Sequence, residues 1–378
     1  MPVFDEEVIK DDIVHGRIGA ISLDTTAFDR HACNLDAKAF EGLEQFKATN
    51  VAFLLSEVII GEVKAHINKA ASDSKQKLIN AIRESSKGWR RSIDKQAILN
   101  MTGLIQEPAA FASEFYGQFA ELKAVQVVPL NGNVDVSALI GRYFSSTPPF
   151  GETANKKSEF PDALTVMSLH SWAAVHNTKV LVVSNDRGWQ AFADESERLI
   201  CVKDLSTALD LFSPHVAHEI ASQVLLLLQN GQAPAMYEAI EGEMDWYFES
   251  SPPEIEGDAT HEYEIEKVDA VPQHWSVADP AELKVLNSDN EFITISINVS
   301  AQINISVSVR FFAPDYADRD YVDLGVHTVE QEDALVFPVT VKFNRNFNGE
   351  PVVDSVEVQS FPYTSRFYTL DPDWDYEE

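Results

Sequence analysis

Residues 17–24 read RIGAISLD, and the fold turns on them. With no turn residue after Gly19, the run has the character of a buried strand that delivers the carboxylate of Asp24 to its tip. A second apolar run, Val51–Leu55, gives way at Ser56 to SEVIIGEVKAHINKA. Ser56 is placed to cap a helix on which Val58, Ile59, Val63 and Ile67 repeat at helical spacing. Glu62 shares that apolar face, an unfavourable place for a charge unless a cation or a donor meets it. Glu57 falls in the first turn of the same helix, where a surface acid is stabilised by the helix dipole, so Glu62 is preferred.

Working outward, residues 72–119 read as two or three helices, partly basic, inserted between strands. Val125–Val128 is a third strand. Pro161 opens a helix whose first turn holds Asp162, and KVLVVS (179–184) is a buried strand followed at once by Asn185 and Asp186. Residues 198–202 form a fifth strand. Alternation of this kind predicts a three-layer α/β/α domain with a mostly parallel five-stranded sheet, whose ligands bind at the carboxyl ends of the strands. Acids at those ends have a natural joint use in binding hard divalent cations through oxygen.

At 378 residues, the chain is expected to divide in two, given about 150 residues per domain. The expected boundaries are a first domain over 1–235 with a helical insertion at about 68–120, an acidic linker over 236–270, and an acidic β-rich domain over 271–378. In ITISINVSAQINISVSV (293–309) every odd position is apolar and every even one polar, the period of a strand with one buried face. Seventeen residues exceed an ordinary strand, so a bend or hairpin is expected near 300–302. With further strands at 334–343 and 352–361, this half reads as antiparallel β or α+β.

The net charge is −31, but unevenly spread. Residues 1–230 hold 22 basic and 29 acidic side chains, net −7, whereas 231–378 hold 7 and 31, net −24. From Lys64 to Lys95, nine basic residues face three acids. Two cysteines exclude a disulfide framework and a four-cysteine zinc site, and both read as core fillers. His31 with Cys33, and His215 with His218 and Glu219, lack zinc-site spacing and read as helix-surface positions. An acidic N-terminus and the lack of a long apolar run predict a soluble, cytoplasmic protein with no membrane contact.

The segments LDTTAFDRH, SEVIIGEVKAHI, KKSEFPDALTVMSLH and VLVVSNDRGWQAF resemble, in order, the four successive motifs of PIN-like nuclease domains, over roughly residues 18–210. The resemblance implies that Asp24, Glu62, Asp162 and Asp186 are the catalytic acids and hold Mg2+ or Mn2+. It also implies that Thr25, Glu159 and Asn185 support them and that the substrate is single-stranded or structured RNA. Lys156 and Lys157, beside the motif acids, and Trp89 with Arg90 and Arg91 are candidates for substrate phosphates and bases. A toxin or defence role is compatible with such an enzyme, and a homo-oligomer or a regulatory protein partner is expected through the acidic C-terminal domain. Two alternatives stand beside the nuclease: a non-catalytic interaction protein of the same fold, and a receiver-like phosphoryl-transfer protein with Asp24 as acceptor. Asp24→Asn or Asp186→Asn is expected to abolish cleavage with a similar or higher melting temperature, because like charges at a metal site repel.

Overall fold

The computed structural model describes residues 5–88, 93–103, 106–151, 156–315, 320–347 and 349–371. The chain divides into two compact units, 1–212 and 213–378. The boundary lies upstream of the expected 235. With it, the first unit carries 22 basic and 28 acidic residues, net −6, and the second 7 and 32, net −25.

In chain order the first unit contains helix α1 (Glu6–Val14), strand β1 (Ile18–Leu23), helices α2 (Thr25–Asp29) and α3 (Lys38–Glu41), and strand β2 (Ala52–Ser56). Helices α4 (Glu57–Gly88), α5 (Lys95–Met101) and α6 (Pro108–Leu122) follow, then β3 (Gln126–Val128), α7 (Val136–Ser145), α8 (Phe160–Val175), β4 (Lys179–Val183), α9 (Arg187–Glu195), β5 (Leu199–Val202) and α10 (Leu205–Phe212). The five strands form one parallel sheet in the order β3-β2-β1-β4-β5. Strands buried on both faces need unbroken apolar runs, and Ala20, Ile21, Leu54, Leu55, Val180, Leu181 and Val182 are fully buried. The order changes direction at β1, so the carboxyl ends of β1 and β4 flank the crevice where such sheets bind ligands.

The Ser56 hydroxyl accepts from the Ile59 amide at 3.3 Å and starts α4. At 32 residues α4 is about 48 Å long, so the insertion begins as a direct continuation of the helix carrying Glu62. Beyond α6, the almost fully buried Lys123 pairs with Glu44 at 2.6 Å, which secures the return of the chain to the sheet.

Asp12 on α1 is buried and bonds Lys179, the first residue of β4, at 2.6 Å, and also Arg17 just before β1. Burial raises its carboxyl, but the hydrogen bonds and charges of Lys179 and Arg17 outweigh this and hold it below the usual range. Asp12→Ala should lower the unit's stability by about 1–2 kcal/mol at neutral pH, since both bases stay in contact with water. Because the folded-state value is depressed, this contribution is present above the unfolded value of 3.8 and fades as pH falls through the folded one. Urea titrations at pH 7 and pH 3 should therefore show the variant and wild type converging in acid.

The second unit consists of α11 (His215–Gln229), α12 (Pro234–Ser250) and strands β6 (Glu254–Glu256), β7 (Glu262–Val277), β8 (Lys284–Ser288), β9 (Phe292–Asp315), β10 (Asp320–Asn344), β11 (Val353–Val358) and β12 (Thr364–Arg366). Residues 236–270 are therefore not a linker. They form most of α12, the short β6 and half of β7, because Met236, Ile240, Met244 and Phe248 recur at helical spacing beneath the acids and are buried. Nor does a hairpin interrupt 293–309. All nine odd positions stay buried within a single 24-residue strand, paired along its whole length with β10. The antiparallel sheet runs β11-β10-β9-β7, with β8 also on β9, and β6 and β12 form a separate parallel pair. Among the described residues, no single helix is long and apolar enough to cross a membrane.

Candidate functional site

Register builds the site. Leu23 pairs with Val183, and the Asp24 amide extends that ladder to the Val183 carbonyl at 2.9 Å, so Asp24 lands beside Ser184 as both strands end. Asp24 caps α2. Its carboxylate accepts from the Thr25 amide (2.6 Å), the Thr26 hydroxyl (2.8 Å) and the buried Ser184 hydroxyl (2.7 Å). The same Ser184 oxygen accepts from the Asp186 amide at 3.0 Å, so one hydroxyl links the first and fourth acids. Asp186 caps α9, accepting from the amides of Gly188 (2.7 Å) and Trp189 (3.1 Å).

The other two acids are aimed by single donors. The Thr25 hydroxyl donates to Glu62 at 2.6 Å across the contact of α2 with α4, and the Trp189 indole donates to Asp162 at 3.0 Å. Burial is the main cause that pushes the Asp162 carboxyl up to about 6. The Trp189 bond opposes it, and the charges of Asp24, Asp186 and Glu62 add to it. Asp24 is also raised, chiefly by burial and further by Asp186, against the pull of its three donors. Four acids from four chain segments thus share one electrostatic neighbourhood at the carboxyl edge of β1 and β4.

An all-oxygen donor set in which burial and like charge disfavour ionisation of two members, Asp24 and Asp162, is chemically suited to a hard divalent cation, whose charge removes that penalty. The Asp24 and Asp186 carboxylates would be the fixed holders, locked as caps. Those of Glu62 and Asp162 would be the adjustable ones, each steered by one donor.

The remaining candidates are placed differently. Glu57 is exposed and accepts from the Leu130 amide at 2.9 Å, steadying the chain after β3. Glu159 accepts from the Gly151 amide at 3.0 Å and anchors the loop before α8. Lys156 donates to the Tyr143 carbonyl (3.3 Å) and to Ser146, at the end of α7, while Lys157 and Asn185 are exposed. Trp89, Arg90 and Arg91 lie outside the described residues. His215 and Glu219 are exposed on α11, but His31 is buried, not a surface position, and burial brings its imidazole down to about 4. Sequence reading missed Ser184 and Trp189. The first was overshadowed by its polar neighbour Asn185, and the second reads as an ordinary apolar helix residue.

Residues 21–189 match the family model of the PIN domain, a span containing all four acids. No curated protein and no solved structure matches the chain.

Proposed function

We propose, from the premise that residues 21–189 form a PIN-like domain and that PIN domains are generally nucleases, that this chain is a divalent-metal-dependent endoribonuclease. The observation that carries the reading is the position of Asp162. It is a carboxyl pushed up to about 6 by burial and by three other acids at the ligand-binding edge of the sheet. A bound Mg2+ or Mn2+ would activate water for attack on phosphorus and stabilise the leaving oxygen. The chain's own part is to hold the carboxylates. Ser184 keeps Asp24 and Asp186 in register, Thr25 turns Glu62, and Trp189 turns Asp162.

Substrate contact is assigned to the first unit. Lys64, Lys69, Lys75, Lys77, Arg83 and Lys87 lie along α4, and Lys157 is exposed just before α8. The second unit, net −25, repels phosphate and is assigned a regulatory or oligomer-forming role.

The test is cleavage of a mixed pool of single-stranded RNA and DNA with magnesium, manganese or a chelator, comparing wild type with Asp186→Asn. RNA cleavage that needs metal and disappears in the variant is expected. Equal cleavage by the variant would refute the site, and cleavage of DNA alone would refute the substrate.

A further inference from the structure

A second constellation lies one helical turn from the acids and uses different chemistry. Thr25 meets Glu62 across α2 and α4, and four residues further along each helix Asp29 meets His66, Oδ1 to Nδ1 at 2.7 Å. The chain leaving α2 then folds back. Ala32 and Cys33 adopt consecutive left-handed conformations (φ 50° and 54°), each costing a non-glycine residue on the order of 1 kcal/mol. The Cys33 amide bonds the Phe28 carbonyl at 2.9 Å, and its thiol donates to Asp29 Oδ1 at 3.4 Å. One ligand atom from each of Asp29, Cys33 and His66 lies within 4.8 Å of the others.

We propose that Asp29, Cys33 and His66 form a binding site for a zinc-class divalent ion, distinct from the four-acid site. Sulfur, nitrogen and oxygen ligands together suit a borderline metal such as zinc and are a poor match for magnesium. Tetrahedral zinc with bonds of about 2.0–2.3 Å sets its ligand atoms about 3.3–3.8 Å apart, so adjustments of roughly an ångström suffice. Asp29 and His66 are exposed, which leaves an entry path and a fourth position for water, while Cys33 forms the buried floor. On binding, the Cys33 thiol proton and any proton on the ligating His66 nitrogen leave to solvent, and the metal replaces both hydrogen bonds to Asp29. Burial, with the Asp29 charge second, pushes the metal-free thiol up to about 12, so Cys33 is inert as a nucleophile unless a cation is present. The ion would pin the turn after α2 to α4 and so fix the neighbouring Thr25–Glu62 contact.

The test uses the full chain stripped of metal and titrated with zinc, and with cobalt as a spectroscopic substitute. One equivalent of zinc should bind in the presence of excess magnesium and raise Tm by several degrees. Cobalt should give the near-ultraviolet charge-transfer absorption of a thiolate ligand, which carboxylates cannot produce. Cys33→Ser and His66→Asn should each lower affinity by more than the ~10–100-fold typical of losing an outer-shell partner, with His66, an exposed residue, as the variant that keeps the fold. Asp24→Asn and Cys201→Ser should retain the band. Absence of the band in wild type, its survival in both His66→Asn and Cys33→Ser, or its loss in Cys201→Ser would overturn the site. Failure of nuclease activity would leave this result unaffected.

Discussion

Asp162→Asn should raise the Tm of the metal-free protein while reducing metal-dependent cleavage at least ~100-fold. The two effects have one origin. Asparagine keeps an oxygen to accept from the Trp189 indole, so the shape of the site survives, but it removes the charge that burial and three neighbouring acids oppose. The folded-state carboxyl titrates at about 6 against 3.8 unfolded, so the group destabilises the fold increasingly as pH rises from about 4 to 6. A gap of about two pH units bounds the penalty above pH 6 at about 3 kcal/mol, and water reaching this partly exposed group makes it smaller. Thermal melts with chelator from pH 4 to 8 should therefore show wild type losing stability across that window and the variant losing less. Magnesium should restore the wild type above pH 6 and do less for the variant. The cleavage loss follows because a neutral amide is a weaker ligand where charge on phosphate must be offset. A lower Tm for the variant under chelator would contradict this account.

The structure also revises where such relief is expected. Asp24→Asn should still abolish cleavage, but not with an unchanged or higher Tm. Both Asp24 oxygens accept hydrogen bonds, and an amide NH2 would face the hydroxyl of Ser184 or Thr26. The buried site would lose an acceptor, which costs about 1–3 kcal/mol.

Gly188→Ala is the second large effect. A Cβ at residue 188 would stand 2.5 Å from the Pro149 carbonyl oxygen and 2.9 Å from Asp186 Oδ1. The first obstacle is backbone, so either the 148–151 segment or the start of α9 must move. Overpacking of this kind costs about 1–3 kcal/mol. The shift falls on Asp186, whose cap includes the residue 188 amide itself, and misplacement by about 1 Å at a reacting centre lowers rates on the order of 100-fold. The expected result is a stability loss together with a fall in kcat. The control is Gly141→Ala, where the added Cβ would meet open space. Wild-type kinetics in Gly188→Ala would show that Asp186 does not need its cap geometry.

Strand ends and helix faces were legible in the sequence because burial on two sides leaves unbroken apolar runs, and acids at their tips stand out. RIGAISLD and KVLVVS show this most clearly. What holds those acids was not legible. Ser184 acts through a register that appears only when β1 and β4 lie side by side, and Trp189 through the packing of α9 against α8. The antiparallel character of the second unit was legible in the alternation of 293–309, but residues 236–270 were misread because surface composition masked their periodicity. Glu and Asp crowd the outer face of α12, and the eye follows them to a linker although every third or fourth residue is apolar. His66 and Cys33 lie 33 positions apart, and no local spacing rule pairs them.

The length of β9 bears on solubility. A continuous alternation of Ile or Val with Ser, Thr and Asn, carrying little charge, is the composition from which cross-β fibrils grow. Here neighbours cover both of its sides, and they bring charge with them. Glu264 and Asp269 on β7, and Glu330 and Glu332 on β10, lie opposite residues 304–310 of β9. Acids so placed act as gatekeepers, since a second molecule approaching the ribbon edge-on meets a like-charged fence before it meets an open backbone. On this view acid-to-acid exchange at these positions of β7 and β10 should leave the protein's resistance to aggregation in a light-scattering assay unchanged, whereas neutralising them should lower it.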